Sequence, residues 1–333
     1  MAEARFEILE RLSHGVVLGD GGYVLELERR GHIQAGPYTP EVAIESPDSL
    51  RELHSEFRRA GAEVLQALTF YGEEAKLATQ GLEHQAETIN RAAVGVARQV
   101  GEEACLVAGV VTLSPSFEPG DEAAGRRVRG ALEHQVGWMC DAGVDFLIGE
   151  TFVYFEEAML ATEVLRGSGL PVMVTMNISP RGSRDRVPPA ECGRRLAQAG
   201  AHIVGANCSF EPRISLEVAR AMGSAADAYV ACQPVGYATP DSVPFTGLPE
   251  FPLALDGRQL SRFDLARFAS EAEEAGVRYI GGCCGVVAHH VRAMAEALGR
   301  RPPASAKSPD LARHVSAVAR GWAPAPVSSG KDS

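Results

Sequence analysis

The feature that most restricts the fold of this chain is an alternation of short apolar runs with longer segments of helical periodicity. The runs are rich in β-branched residues, and eight of them occur, at 16–22, 63–70, 105–113, 146–152, 171–178, 202–209, 228–236 and 279–285. Near-continuous apolar character, without strict alternation with polar residues, is typical of strands covered on both faces, as in a parallel sheet. Eight βα units over about 300 residues predict an α/β fold, a (β/α)8 TIM barrel, as a single domain.

Signals for helix ends between the runs favour the same arrangement. Segment 46–62 begins with Ser46-Pro47, a capping residue followed by a proline in the first turn, and closes at Gly61. A recurrent phrase, AGAEV, AGVDF, AGAHI or AGVRY, precedes the second, fourth, sixth and eighth runs. We expect its glycine to end a helix each time, before the chain enters a strand. A doubly wound open sheet is the main alternative, but the GDGG segment does not form the GxGxxG motif that would support dinucleotide binding.

Composition and charge argue against several classes of protein. The formal net charge of −11 disfavours a nucleic-acid partner, because phosphate binding requires clustered Lys and Arg. No segment reaches the roughly 18 to 20 consecutive apolar residues that a transmembrane helix needs, and the first 15 residues carry too many charges for a signal peptide. We therefore expect a soluble, cytoplasmic protein with no membrane or nucleic-acid partner, whose seven cysteines are mainly reduced.

Two segments fall outside the repeating units. Residues 237–260 form a long, proline-rich connection after the seventh run, and such loops on a barrel often act as lids or substrate walls. Residues 301–333 are rich in Pro, Ser and Ala, which predicts an extended tail with one short helix. The predicted organisation is a barrel domain over 1–300 and a C-terminal tail over 301–333 that is either disordered or in contact with another subunit.

Three cysteines follow runs whose C-terminal ends should meet at one rim of a barrel. Cys208 ends the sixth run, and Cys283 and Cys284 end the eighth. Three thiolates and one open position are typical of a catalytic Zn²⁺ site, whereas four closed ligands are typical of a structural one. Neighbouring side chains can face one ion only where the strand is irregular, and glycines around the pair permit such a bend. These glycines are Gly281, Gly282 and Gly285.

Other interpretations stay open for the thiols. A buried cysteine usually behaves as a small apolar residue, and this is the role predicted for the remaining four, Cys105, Cys140, Cys192 and Cys232. Cys283 and Cys284 could instead form a redox pair, although adjacent cysteines are poorly placed for an unstrained disulfide. The matching position of Cys208 at another strand end favours the metal site.

At these residues the chain resembles the homocysteine S-methyltransferase family, and within it the betaine-using members. The similarity extends from about residue 12 to 300 and is carried by GDGGYVLELERRG, AGPYTPE, TFYGEEAKL, FLIGETF, VPPAEC, GANCSFEP, LPEFPL and GVRYIGGCCG. The resemblance implies a zinc-dependent barrel enzyme that moves a methyl group from an onium donor, glycine betaine, to homocysteine, giving methionine and dimethylglycine. It places the Zn²⁺ ligands at Cys208, Cys283 and Cys284.

The resemblance also implies a homocysteine site. Asp20 and Glu150 would complete it, and either could pair with the substrate ammonium group, while Gly21 and Gly22 would let backbone amides approach the same substrate. Glu150 joins the three cysteines as a predicted catalytic group. For Asp20 alone, a capping or turn role in a glycine-rich segment is the competing interpretation.

The methyl-donor site is where this chain departs from the pattern of the family. A quaternary ammonium lacks hydrogen-bond donors and is recognised by aromatic faces, and Tyr38 and Tyr71 match two positions of the family's aromatic cage. The third is usually Tyr, where this chain has Thr151, and Ala67 replaces a threonine. Four other aromatic residues could compensate, although ordinary packing is the favoured interpretation of each; they are Phe70, Phe152, Tyr154 and Tyr237.

These departures leave other functions open. The donor could instead be S-methylmethionine, dimethylsulfoniopropionate or another methylated amine. A zinc- or thiol-binding barrel without catalytic activity is a further alternative, which the joint presence of Asp20 and Glu150 disfavours. A homo-oligomer is expected on general grounds, but a tetramer is in question because the chain lacks much of the C-terminal segment that the animal enzymes use in subunit association.

Overall fold

Eight parallel strands form a single sheet in the order β1-β8-β7-β6-β5-β4-β3-β2. The protein is described by a computed structural model that covers residues 6–308 and residue 310. The strands are β1 (Val17–Leu18), β2 (Val64–Gln66), β3 (Leu106–Thr112), β4 (Phe146–Phe152), β5 (Val172–Met176), β6 (Ile203–Asn207), β7 (Tyr229–Gln233) and β8 (Tyr279–Ile280). Each predicted apolar run contains one of them, so the (β/α)8 barrel is confirmed.

The barrel closes at the seam between β1 and β2. Parallel pairing joins all other neighbours, from β2 through β8 to β1. At the seam, the backbone amide of Glu63 donates to the carbonyl of Leu18 at 2.8 Å, and the amide of Leu18 donates to Glu63 Oε2 at 2.8 Å. One side chain therefore completes the hydrogen bonding that a regular strand pair would supply.

Across the described residues, twelve α-helices accompany the strands. They are α1 (Glu7–His14), α2 (Val24–Arg29), α3 (Val42–Glu45), α4 (Pro47–Ala60), α5 (Glu74–Leu77), α6 (Ala86–Gly101), α7 (Glu122–Asp141), α8 (Phe155–Gly167), α9 (Pro189–Gln198), α10 (Pro212–Gly223), α11 (Arg262–Glu274) and α12 (Ala288–Ala297). Within the described part of the chain, no helix combines the length and apolar character needed to cross a bilayer.

The predicted helix ends are confirmed. Helix α4 follows Ser46 directly, with Pro47 in its first turn. The glycines of the four recurrent phrases all have left-handed backbone, which ends a helix at little cost when no Cβ is present. Their φ values are 111° at Gly61, 90° at Gly143, 103° at Gly200 and 83° at Gly276.

Two apolar layers form the core of the barrel and leave its C-terminal end for a functional site. A layer between the sheet and the helices forms the larger core. A second layer fills the lower barrel, where Ile8 and Leu12 of α1 pack against inward-facing residues such as Phe146 and Tyr279. Helix α1 thus covers the N-terminal mouth, and the loops at the C-terminal ends of the strands surround the opposite end, where barrel enzymes carry their active sites.

The chain beyond the barrel is only partly described. A short 3₁₀ helix at Pro303–Lys307 packs near α12, with Ser305 Oγ donating to Glu296 Oε1 at 2.7 Å. Residues 309 and 311–333 of the predicted tail lie outside the described residues. The division into a barrel over 1–300 and a tail over 301–333 therefore stays a prediction, as does the homo-oligomer.

Candidate active site

Three thiols converge at the C-terminal rim of the barrel, as the strand ends predicted. Cys208 follows β6 directly, and Cys283 and Cys284 lie just beyond β8. Their Sγ atoms all lie within 4.8 Å of one another. Across residues 6–308 and 310, this is the only group of three or more Cys, His, Asp or Glu side chains close enough to share a metal ion.

A tight turn lets neighbouring cysteines face the same point. Beyond β8, the amide of Gly282 donates to the carbonyl of Asp20 at 2.8 Å, and the amide of Val286 donates back to the carbonyl of Cys283 at 2.9 Å. Gly285 inside this turn has φ 79°, a conformation that favours glycine. The pair therefore lies in a turn, where the alternation of strand side chains no longer applies.

The three thiols fit a soft divalent metal. The hydrogen bonds among the three thiols act in both directions, but burial and the neighbouring negative charges hold the pKa of each well above its ordinary value. Thiolates at this position therefore need a cation, and metal coordination deprotonates a thiol outright. Sulfur ligands about 2.3 Å from a tetrahedral Zn²⁺ lie about 3.8 Å apart, which is within the observed limit on the Sγ separations. The donor set is that of a site with three protein ligands and one open position.

Two buried carboxylates belong to the same end of the barrel as the thiols. Asp20 follows β1 and has no exposed surface, whereas Glu150 lies within β4 and is 7% exposed. Burial raises the pKa of Asp20 to about 7, despite the hydrogen bonds that it accepts. Burial, and then the charge of Asp20, raises the pKa of Glu150 to about 8. The two carboxylates therefore repel each other, and a shared cationic partner would stabilise both charges.

An asparagine that the sequence analysis did not single out connects Glu150 to the neighbouring threonine. Asn207 Nδ2 donates to Thr151 Oγ1 at 2.8 Å and reaches Glu150 Oε2 at 3.4 Å. The backbone amide of Thr151 donates to Asn207 Oδ1 at 3.0 Å. One amide group thus fixes both residues, and Asn207 is also the residue directly before Cys208. The available signal was a polar side chain at the end of an apolar strand, in GANCS.

A cavity of about 230 Å³ joins these groups. Of the predicted site residues, nine line it: Gly21, Gly22, Tyr38, Tyr71, Glu150, Thr151, Cys208, Cys283 and Cys284. Asp20 is the exception and lies behind the lining. The amide of Gly22 already donates to the carbonyl of Val286 at 2.8 Å, so it has a partner within the protein.

Aromatic side chains form much of the remaining wall. Tyr38, Phe70 and Tyr71 line the cavity, and the ring centroids of Phe70 and Tyr71 are 4.3 Å apart. Phe245 and Phe251, from the long connection after β7, line it as well, which the sequence analysis did not predict at the level of residues. The other three suggested aromatic residues, Phe152, Tyr154 and Tyr237, do not line the cavity.

Backbone strain is concentrated at this cavity. Seven non-glycine residues of the described chain have positive φ, and four of them line the cavity: Tyr38, Tyr71, Thr151 and Cys208, with φ from 55° to 68°. Non-glycine residues adopt this conformation uncommonly, and such strain tends to occur at functional sites. The strained residues are three members of the predicted methyl-donor site and one predicted metal ligand.

Sequence comparisons identify relatives of the chain. The homocysteine S-methyltransferase family profile matches residues 17–298. The chain is 46% identical over 323 residues to betaine–homocysteine S-methyltransferase 1 of Mus musculus, covering 92% of this chain and 79% of that protein. It is 43% identical over 317 residues to S-methylmethionine–homocysteine S-methyltransferase of Pongo abelii, covering 91% of this chain and 85% of that protein.

A solved structure shares the fold. The metallated form of the homocysteine methyltransferase MmuM from Escherichia coli superposes with a TM-score of 0.69 at 22% sequence identity, covering 84% of this chain and 95% of that one. At this level of identity the likeness establishes the barrel fold alone.

Proposed function

Because the chain belongs to the homocysteine S-methyltransferase family, we propose that it transfers a methyl group from glycine betaine to homocysteine, giving methionine and dimethylglycine. The family profile and relatives at 43–46% identity support a homocysteine methyltransferase. The observation that carries the proposal is the meeting of three thiols, a buried glutamate and several aromatic rings at one cavity.

We propose Zn²⁺ as the cofactor, held by Cys208, Cys283 and Cys284. When bound there, Zn²⁺ supplies a Lewis acid that lowers the pKa of the homocysteine thiol. The three cysteine thiolates give the site a net negative charge, so the substrate sulfur keeps its nucleophilicity. Their placement at the cavity wall also fixes where that sulfur enters.

The carboxylates bind the other end of homocysteine in this proposal. Asp20 and Glu150 receive the ammonium group, whose positive charge lowers the pKa of both and relieves their mutual repulsion. Asn207 holds the Glu150 side chain in place. Fixing the amino acid at both ends orients its sulfur, and orientation supplies much of the acceleration when two substrates react.

The aromatic wall binds the donor. The faces of Tyr38, Phe70 and Tyr71 attract a trimethylammonium group. Among the described residues no Lys, Arg or His side chain lines the cavity, although Lys76 Nζ lies 4.3 Å from the centroid of the Tyr71 ring and occupies one of its faces. The homocysteine sulfur attacks a methyl carbon as the carbon–nitrogen bond breaks, and the electron pair stays on nitrogen. A cation becomes a neutral amine in this step, so exclusion of water by the apolar wall favours it.

Methionine formation from homocysteine tests this proposal directly. The zinc-loaded protein is mixed with homocysteine and, separately, with betaine, S-methylmethionine, dimethylsulfoniopropionate or another methylated amine. We expect betaine to give the highest rate. A higher rate with a sulfonium donor would retain the reaction and change the donor, whereas no methionine from any donor, with zinc bound, would indicate a non-catalytic metal-binding barrel.

We expect Thr151→Tyr to lower the KM for betaine about 3- to 10-fold, because a cation–π contact in a partly desolvated site contributes about 0.5–2 kcal/mol. The backbone amide of Thr151 is held by Asn207 Oδ1, so a new ring would start from the same position beside the cavity. Steady-state kinetics with betaine as the varied substrate measure the effect.

The homocysteine KM of the same variant is the internal control and should change little. An unchanged or higher KM for betaine would mean that the donor site is not an aromatic cage with one missing wall. The preferred donor would then differ from betaine in shape.

A further inference from the structure

Three buried polar side chains form a chain of hydrogen bonds that runs from Tyr23, which lines the cavity, to Asp20 and His54, which do not. Tyr23 Oη lies 2.5 Å from Asp20 Oδ2 and 2.8 Å from His54 Nδ1. Asp20 and His54 have no exposed surface, and Tyr23 is 7% exposed. Asp20 and Tyr23 belong to the loop after β1, whereas His54 lies on the buried face of α4. The contact between them joins the rim of the barrel to its helical layer.

The direction of these hydrogen bonds follows from counting protons. Burial lowers the pKa of His54 to about 3, so its ring is neutral and carries a single N–H. The Tyr23 hydroxyl has one proton, which it donates to the Asp20 carboxylate. His54 must then donate from Nδ1 to Tyr23 Oη, and its Nε2 has no hydrogen-bond partner among the described residues. Every donor in the chain therefore points toward Asp20.

The two carboxylate oxygens of Asp20 differ in their hydrogen-bond partners. Oδ2 accepts from Tyr23 Oη and from the backbone amide of Gln66 at 2.7 Å. Oδ1 is buried and has no hydrogen-bond partner among the described residues. Two donors on one oxygen fix the rotation of the carboxylate group, and the other oxygen keeps its hydrogen-bonding capacity unused.

We propose that Tyr23, supported by His54, is a positioning residue that holds Asp20 so that its Oδ1 receives the ammonium group of the amino-acid substrate. The inference rests on the proposed function, which identifies that substrate as homocysteine. Tyr23 acts through Asp20, so its contribution is to amino-acid binding and not to methyl transfer itself.

The test is Tyr23→Phe, which removes the hydroxyl but keeps the ring that packs edge-on against Phe57 at 5.2 Å. We expect the KM for homocysteine to rise about 10-fold, the effect of losing a hydrogen bond to a charged group. The kcat and the KM for betaine should stay within about 2-fold. Binding of L-methionine, measured by calorimetry, should weaken by the same factor, because methionine carries the same ammonium group.

A second pair of variants separates positioning from general packing. His54→Phe should raise the homocysteine KM about 3-fold, and should add nothing in a Tyr23→Phe background, because groups in one network are not additive. The double variant also removes the His54 donor that Tyr23→Phe would leave buried without a partner. If Tyr23→Phe alone does not fold, the double variant therefore supplies the homocysteine KM.

An unchanged homocysteine KM in Tyr23→Phe, or an equal rise in the KM for betaine, would overturn the positioning role while leaving the proposed function intact. Additive effects of the two substitutions would also overturn it. If the wild-type protein forms no methionine and binds neither amino acid, both the proposed function and this inference fail.

Discussion

Replacement of Cys208 by alanine is expected to abolish metal binding at micromolar protein and to lower methionine formation by about 10³-fold or more. Cys208 supplies one of three thiols whose Sγ atoms lie within 4.8 Å of one another. Because structural zinc sites with four ligands bind with about 10–16 kcal/mol, the loss of one thiolate from three removes several kcal/mol of affinity. The substrate thiol would then stay largely protonated at neutral pH.

Metal analysis and the rate of methionine formation measure this result. The matched control is Cys232→Ala, which removes another fully buried thiol, on β7 between β6 and β8. That variant should retain about one zinc per chain, as expected for a site with three protein ligands, and near wild-type activity. Full zinc occupancy in the Cys208 variant would contradict the ligand assignment, whatever its activity.

The barrel was predictable because its signals are local. Each apolar run lies within a few residues of the glycine or proline that begins or ends the neighbouring helix, as at Pro47 and Gly61, and the structure retains these boundaries. The order of the strands follows once eight βα units are recognised. Strand lengths were less predictable: β1 and β8 have two residues each, because the glycines of GDGG and GGCCG end their pairing early.

The site was predictable only where residues lie at strand ends. Cys208, Cys283 and Glu150 could be placed at one rim because parallel strands bring their C-terminal ends together. In contrast, Tyr23 and His54 are 31 positions apart in the sequence. Their contact depends on how helix α4 is rotated about its axis, which the periodicity of apolar residues does not specify. The side of the cavity that Phe245 reaches depends on a long connection with only short 3₁₀ helices, at Phe245–Gly247 and Leu255–Arg258.

The left-handed backbone at Tyr71, Thr151 and Cys208 could not be predicted either, because non-glycine residues adopt this conformation uncommonly. Local rules and the global fold disagree at these positions, which is expected where a site imposes its own geometry. The departures from sequence-based expectation thus lie mainly around the cavity.

Substitution of Gly22 by alanine is expected to lower kcat/KM about 100-fold, although Gly22 belongs to neither the metal site nor an aromatic wall. A Cβ at this position would lie 2.6 Å from the carbonyl oxygen of Cys283 and 2.9 Å from Cys284 Cα. Both are backbone atoms, so the added methyl group must displace the turn that carries the two thiols. A shift of about 1 Å in a catalytic group can cost about 10²-fold in rate.

The same displacement should weaken zinc binding, so competition with a chromophoric chelator should extract the metal from Gly22→Ala faster than from the wild type. Gly15→Ala is the matched control, because a Cβ at Gly15 would meet no atom within 4 Å, and it should leave both the rate and the metal unchanged. Thermal unfolding verifies that the Gly22 variant is folded. Wild-type turnover and metal retention in a folded Gly22→Ala protein would show that the turn at the cysteine pair can move without consequence, and the fixed geometry proposed for the three thiols would then be wrong.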